Sequence, residues 1–479
     1  MKHRFTVHRS PFQNALHSFA GAFATAQSAG LMAALWLAVL GLGILCSKAD
    51  AQTGMWAWMD GSETPNQSPV YGTVGVPAPG NDPGGRTDSS VWTDRNGNLW
   101  LLGGSVGPSI YNDIWNFNPS TLEWTCINAG QPPEYGDMGV PAAGNYPPAR
   151  MGAATWTDSS GNFWLFGGEL PNTSNILNDL WEFDPSTLEW TWMGGSNTNT
   201  LTCYPVGGCG APGVYGTLGV AAPGNVAGSR AFATTWTDTS GNFWLFGGEH
   251  GWDSIGPGVF LNDFWEFNPS TLEWTWMGGS STFTLYPSGT YSGPPAVYGT
   301  LGVFAPGNIP GGRCCAAGWR DNSGNLWLFA ALGVYPDSGG SYDYNSELWE
   351  FNPSIREWAW MGGSDTRYQP GVYGTLGVPA AGNFPGPRDG AINWTDSSGN
   401  FWLFGGSALT RMKTSAPSTI FGSSFHPPRY GHGWGEAARV ASRACTERSG
   451  LLLPETSPET ESAMWAGPIR AATCGFLAA

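Results

Sequence analysis

The sequence predicts an all-β fold made of four-stranded units arranged about a common axis. Three observations carry this. One stretch, Trp156–Ser196, recurs almost unaltered as Trp236–Ser280 and Trp319–Ser364. It recurs with more drift as Trp92–Thr125, and a last copy opens at Trp394 and stops after Gly406. Each copy holds four short aromatic-rich runs bounded by Gly, Pro, Asn, Asp and Ser, which is strand-and-turn grammar. Of the 27 Trp, 23 fall at equivalent positions of the repeat, so the register is not an accident of an aromatic-rich composition.

Within the Trp156 copy, the first strand ends at Trp156 and the second is Phe163-Trp164-Leu165-Phe166, closed by Gly167-Gly168. The second run is apolar without alternation, as expected of a short strand buried on both faces. The third is Leu180-Trp181-Glu182-Phe183, closed by Asp184-Pro185, and the fourth is Trp190-Thr191-Trp192-Met193. A single such unit cannot bury both its faces. Tandem copies therefore read as blades of a β-propeller, each covering its neighbours. Four units are complete and the fifth is partial, so about five blades are expected and an open arc is allowed.

Each unit opens on an Arg: Arg86, Arg150, Arg230, Arg313 and Arg388. The second strand closes on Gly103-Gly104, Gly167-Gly168, Gly247-Gly248 and Gly405-Gly406, with Ala330-Ala331 in the fourth copy. Ala does not favour positive φ, so close packing is the expected need at that point. With the aromatic of the third strand and the Trp of the fourth, this pattern resembles the Kelch repeat over residues 56–406. It is also similar to the propeller domain of galactose oxidase. The resemblance implies a Kelch-type β-propeller.

The chain in order begins with a targeting segment. Lys2, Arg4 and Arg9 precede the apolar run Leu31–Leu45 and a small-x-small site at Ala49-Asp50-Ala51, the layout of a secretory signal. Residues 1–51 are read as a signal peptide, or as an anchor if uncleaved, with the mature start near Gln52. Residues 52–406 form the propeller. Within them, Trp56-Ala57-Trp58-Met59 matches only a fourth strand, and is expected to pair into the fifth unit. Between units a segment typified by Tyr71-Gly72-Thr73 recurs at Tyr135, Tyr215, Tyr298 and Tyr373. Its Gly and Pro make it a structured loop. Residues 407–479 lose the repeat and read as an irregular tail, disordered or truncated or frame-shifted.

From 52 to 406 there are 9 Arg and no Lys against 30 Asp and Glu. This acidity excludes nucleic acid and anionic membrane as partners, leaving the membrane only through the N-terminal segment. Export permits disulfides, and Cys203 with Cys209, in one loop, form the best pair. A bond between adjacent Cys314 and Cys315 would be strained, so both read as buried thiols. The five Arg read as partners of recurring acids such as Glu182, Glu189 or Asp179 between blades. The Asp158-Ser159-Ser160-Gly161-Asn162 turns lack the downstream Glu of a calcium loop and read as plain turns.

Enzyme chemistry has little support in the sequence. The galactose oxidase resemblance implies copper held by two His and two Tyr. Of six His, only His250 lies inside the repeats. No nucleophile elbow, zinc-protease or phosphate-loop motif occurs. No cofactor or metal is expected. Loops joining strands one and two, and three and four, repeat with little change on one face. Loops two–three and the inter-unit segments lie on the other and vary: 7 residues at Ser105–Tyr111, 8 at Glu169–Ile176, 12 at Glu249–Phe260 and 14 at Leu332–Asn345. Function sits by preference on such variable loops. The candidate ligand residues are Glu169, Glu249, His250, Trp252, Tyr335, Asp337 and Tyr342, as aromatics beside acids suited to sugar faces and hydroxyls. The expected protein is secreted or cell-surface, monomeric and non-catalytic, binding a glycan or an extracellular protein. The alternatives are a degenerate galactose oxidase-like or glycan-hydrolysing enzyme, and a membrane-anchored scaffold.

Overall fold

The computed structural model describes residues 58–171, 175–197, 203–204, 208–250, 259–282, 284–285, 291–334, 342–366 and 369–407. The chain divides into two units, Met1–Ala57 with Ile469–Cys474, and Trp58–Pro468 with Gly475–Ala479. The first unit, the apolar run Leu31–Leu45 within it, and the tail from 408 lie outside the described residues. Every regular element among the described residues is a strand, and none is a helix.

Four sheets are four-stranded antiparallel meanders or nearly so. Blade 1 is Ser90–Thr93, Leu99–Leu102, Ile114–Asn118 and Glu123–Asn128. Blade 2 is Ala154–Thr157, Phe163–Glu169, Ile176–Asp184 and Glu189–Gly194. Blade 3 is Thr234–Thr237, Phe243–Phe246, Phe264–Asn268 and Glu273–Gly278. Blade 4 is Ala317–Arg320, Leu326–Val334, Tyr342–Asn352 and Glu357–Gly362, with Arg313–Cys314 as an added short strand. Among the described residues, blade 5 has Ile392–Thr395 and Phe401–Phe404. The first strands of successive blades neighbour one another in chain order, so the blades share an axis, as in a propeller.

The repeated Trp build both the blade and the joint to the next. Within a blade, the first- and second-strand Trp lie directly opposite, as Trp156 and Trp164 do. Between blades, Trp156 stacks on Phe243 at 5.3 Å and 8°. Trp92 stacks on Phe163, and Trp319 on Phe401. Such pairs contribute about 0.5–1.5 kcal/mol beyond area burial. The indole N–H crosses the same joint: Trp156 Nε1 donates to the Trp244 carbonyl at 3.2 Å. Trp92, Trp236 and Trp319 repeat this donation to Trp156, Trp327 and Trp402.

The Gly-Gly pair is explained by the same joint. Gly103, Gly167 and Gly247 have φ of 65°, 67° and 64°. A Cβ on Gly247 would lie 2.6 Å from the Arg313 carbonyl of the next blade. The N–H groups of Gly104, Gly168 and Gly248 donate to the Arg150, Arg230 and Arg313 carbonyls at 2.9–3.0 Å. Ala330 and Ala331 keep positive φ, 56° and 152°. The expectation that only packing matters there is therefore corrected: the left-handed bend is kept, at about 1–2 kcal/mol of local strain.

In blades 1–4 the opening Arg is buried on an acid of its own blade, not between blades. Arg150 donates through both terminal nitrogens to Asp179 at 2.7 Å, and to the Gly167 carbonyl. The Asp179 carboxylate also accepts from Tyr135 Oη and Trp181 Nε1. Tyr215, Arg230, Asp263 and Trp265 repeat the cluster, as do Tyr298, Arg313, Glu347 and Trp349. In blade 1, Arg86 meets Asp113, which also accepts from Trp115. Glu182 instead accepts from Asn162, and Glu189 sits at the start of the fourth strand. The turn acids are self-contained: Asp158 accepts from the backbone of Ser160 and Asn162 and from Trp164 Nε1.

The inter-unit segments run along the outer strand of their own blade. Ala78, Ala142, Ala222 and Ala305 bridge to Trp124, Trp190, Trp274 and Trp358. Such cover blunts an otherwise open edge. The expected docking of Trp56–Met59 on blade 5 is not found where it can be seen. Trp58 and Met59 belong to no strand, Trp58 donating to the Asp60 carbonyl, and Trp56 and Ala57 lie outside the described residues. A fourth-strand pattern needs a third strand beside it, and blade 5 presents none among the described residues.

Candidate functional site at the axial face

Two residues after each Arg the chain turns left-handed. Asp88, Gly152, Phe232, Cys315 and Gly390 have φ of 58°, 64°, 57°, 62° and 58°. Their backbones form a relay across all five blades. The N–H of Gly390 donates to the Cys315 carbonyl, Cys315 to Phe232, Phe232 to Gly152 and Gly152 to Asp88, at 2.7–3.0 Å. Three of the five are not glycine, and a strained conformation of this kind held by its surroundings is a mark of a functional region. The ring of Phe232 lies over Gly152, where a Cβ would come 2.5 Å from it.

The residue after each Gly-Gly pair bridges back to this collar: Ser105 to Thr87, Glu169 to Met151, Glu249 to Ala231 and Ser407 to Asp389. The collar thus gathers Asp88, Glu169, Glu249 and Asp389 from blades 1, 2, 3 and 5. Burial pushes Glu169 up to about 7, and the Asp88 charge adds to it. Burial pushes Asp389 up to about 6, against a hydrogen bond from Ser407 and with Asp88 again adding. Asp88 itself keeps contact with water, yet surrounding protein crowds it and raises its carboxyl, with Thr87 opposing. Burial and the Asp389 charge also push Tyr344 up to about 12.

The thiols belong to the same place. Cys314 and Cys315 have Sγ atoms 2.9 Å apart and are unbonded. Cys314 is buried as expected, and Cys315 is half-buried. Burial raises the Cys314 thiol well above its usual value. For Cys315 the hydrogen bond with Cys314 acts downward, but burial and the charges of Asp389, Glu249 and Asp88 outweigh it. Both remain protonated at neutral pH.

The structure redistributes the expected ligand residues. Glu169 is half-buried on the collar. Glu249 and His250 are only 2% and 5% exposed, so they are not the exposed acid–aromatic tip expected of that loop. They form a short strand paired with Val259–Phe260, and His250 Nδ1 lies 2.6 Å from the Ser229 carbonyl. Burial lowers the His250 pKa, keeping the ring neutral. Tyr342 packs on Phe260 at 4.1 Å, so the bases of the 12- and 14-residue loops do meet. Trp252, Tyr335 and Asp337 lie outside the described residues. Cys203 lies opposite Cys209 across a two-stranded ladder.

Sequence reasoning missed Asp88, Phe232, Asp389, Cys315 and Tyr344 as members of one site. Their common signal, for the first four, was position relative to the recurring Arg. On the opposite face a hollow of about 280 Å³ lies between blades 3 and 4, lined by Asp238, Asn242, Glu266, Asn325 and Arg356. Asn242 already donates to both Asp238 and Glu266 there. Among the described residues, no three His, Cys, Asp or Glu side chains converge as a metal-binding group.

Comparison with known proteins adds little beyond this geometry. No family model matches the chain. A stretch of 108 residues, 22% of the chain, is 31% identical to the Rho GTPase-activating protein gacHH of Dictyostelium discoideum. That match spans only 6% of the length of gacHH. The solved structure of YjhT aligns over 69% of this chain and 78% of its own, at 15% identity and a TM-score of 0.40.

Proposed function

We propose that the chain is an exported, Kelch-type, non-catalytic binding module that takes a glycan on its axial face. The observation supporting this reading is the collar of carboxyls raised toward neutral pH. Glu169 at about 7 and Asp389 at about 6 can each donate or accept a hydrogen bond near neutrality. Sugar hydroxyls ask for both, and Phe232 and Tyr344 offer apolar surface beside them. The loops around this face differ from blade to blade, giving the unequal set that selective recognition requires.

A glycan array on the secreted protein tests the reading. A hit whose affinity falls about tenfold or more in Glu169→Gln supports it. An array with no hit, or hits untouched by Glu169→Gln and Asp389→Asn, sinks it, and an extracellular protein becomes the partner to seek. A hydrolytic reading has one observation in its favour. Glu169 is a protonatable carboxyl beside a second acid, Asp88, as acid–base chemistry on glycosides requires. Release of free sugar from an array hit, lost in Glu169→Gln, would replace binding by hydrolysis.

A further inference from the structure

Blade 5 contains the unmatched half of a joint that the other four blades complete. In blades 1–4 the opening Arg meets an acid on the third strand: Asp113, Asp179, Asp263 and Glu347. Arg388 makes every other bond of its counterparts. It donates to the Gly386 and Gly405 carbonyls at 3.1 and 2.9 Å, and beyond these only to Tyr373 Oη at 3.4 Å. No acid reaches it. Asn383 shows the same deficit. Asn81, Asn145, Asn225 and Asn308 each donate to a fourth-strand Trp carbonyl as well as to their own loop. Asn383 keeps only the loop bond, to Val378. Beside them, Phe401–Phe404 pairs on one edge only among the described residues, and Phe404 is 40% exposed.

A third strand for blade 5, absent among the described residues, can be specified from the blades that show one. Opposite the second strand of blade 1, Trp115 faces Leu101, Phe117 faces Leu99, and Asp113 precedes Trp115 by two residues. The required pattern is carboxylate-x-Trp-x-Phe in extended form. Only Trp115, Trp181, Trp265 and Trp349 have an acid two residues before them anywhere in the sequence, and all four are already built into blades 1–4. No further copy of the pattern stands in this sequence.

We propose that the open edge of Phe401–Phe404 takes an extended strand from another protein, carrying a carboxylate two residues before a tryptophan. Main-chain pairing supplies the general attraction, as in strand addition to a free sheet edge. The carboxylate on Arg388, and the Trp opposite Leu403, supply the selectivity. This site adjoins the collar through Asp389 and uses other groups, the Arg388 side chain and the Phe401–Phe404 edge.

The test uses the full chain and a labelled heptapeptide of the sequence Asn112–Asn118, followed by fluorescence anisotropy. Saturable binding is expected, about tenfold weaker for the peptide bearing Asp113→Asn. Arg388→Gln in the protein should weaken the unaltered peptide by a similar factor and leave the altered peptide no weaker than it was on the native chain. Glu169→Gln should change nothing. Absence of binding, or equal binding of both peptides to the native chain, overturns the proposal. If Arg388→Gln fails to fold, the two peptides on the native chain decide alone. A concentration-dependent dimer in sedimentation, abolished by Arg388→Gln, would overturn it in favour of strand exchange between copies.

Discussion

Removal of the Asp179 carboxylate tests what holds a blade together. Asp179 accepts four hydrogen bonds: two from Arg150, at 2.7 Å each, one from Tyr135 Oη at 2.9 Å and one from Trp181 Nε1 at 2.8 Å. The Arg150 and Asp179 side chains are 1% and 0% exposed. Asp179→Ala strands a guanidinium, a hydroxyl and an indole N–H without water to replace the acceptor. Breaking a buried pair on one side costs about 3–5 kcal/mol. Exchange of both partners, Arg150→Met with Asp179→Leu, removes the orphaned charge and should recover most of that loss. Urea unfolding followed by Trp fluorescence reads the difference. Arg388 has no acid partner among the described residues, so Arg388→Ala should cost no more than about 1 kcal/mol. A loss below about 1 kcal/mol for Asp179→Ala, or equal losses for Arg388→Ala and Arg150→Ala, would refute this account.

The remaining expectations concern Glu169, Gly152 and the thiols. Glu169 titrates in the fold at about 7, above its ordinary 4.5. Its raised pKa therefore contributes stability below pH 4.5 that is lost as pH climbs through 7. Glu169→Gln should make the protein about 1–2 kcal/mol more stable than native at pH 8, after discounting for partial solvent access, and an unchanged pH slope would contradict it. Gly152→Ala places a Cβ against Phe232 at a left-handed φ of 64°. It should cost about 2 kcal/mol or more in urea unfolding, and a neutral effect would remove the collar from the folded core. Thiol counting by mass shift is expected to find Cys203 and Cys209 protected and Cys126, Cys314 and Cys315 alkylated after unfolding. Labelling of all five would disprove the pairing.

Most of the blade was legible in the sequence because its determinants are local and repeated. The Trp of the first two strands, the Gly-Gly bend and the Asp-to-Asn turn each recur at fixed spacing, and each marks the same place in every blade. The partner of the Arg was less legible. Asp179, Glu182 and Glu189 all recur with it, and only the fold decides that Asp179 points back into its own blade. The site was least legible. Asp88, Phe232, Cys315 and Asp389 stand far apart in the chain, and only the two Asp share a side chain. Asp88, Phe232 and Cys315 share a left-handed backbone, which Phe and Cys do not advertise, and Asp389 directly precedes the left-handed Gly390. Glu249 and His250 read as an exposed tip because a 12-residue loop follows Gly248, yet they form a short strand that carries them inward.

The indole donations between blades all run one way. Each first-strand Trp gives its N–H forward to the following blade, so every blade is held by its predecessor's side chain and its successor's main chain. Among the described residues Trp394 is the last in this series; it is 43% exposed and stacks on Trp402 of its own sheet. At the other end Leu99, where the other blades place a covered Phe or Leu, is 41% exposed. A linear array with nearest-neighbour coupling behaves as a chain of linked units, each leaning on two others and the end units on one. Opening should therefore begin at the ends and travel inward. Amide exchange is expected to be fastest in blade 5, which shows two strands among the described residues, and slowest in blades 2 and 3. Such a gradient makes the outermost blades the part of the molecule that can be remodelled without melting the axial face.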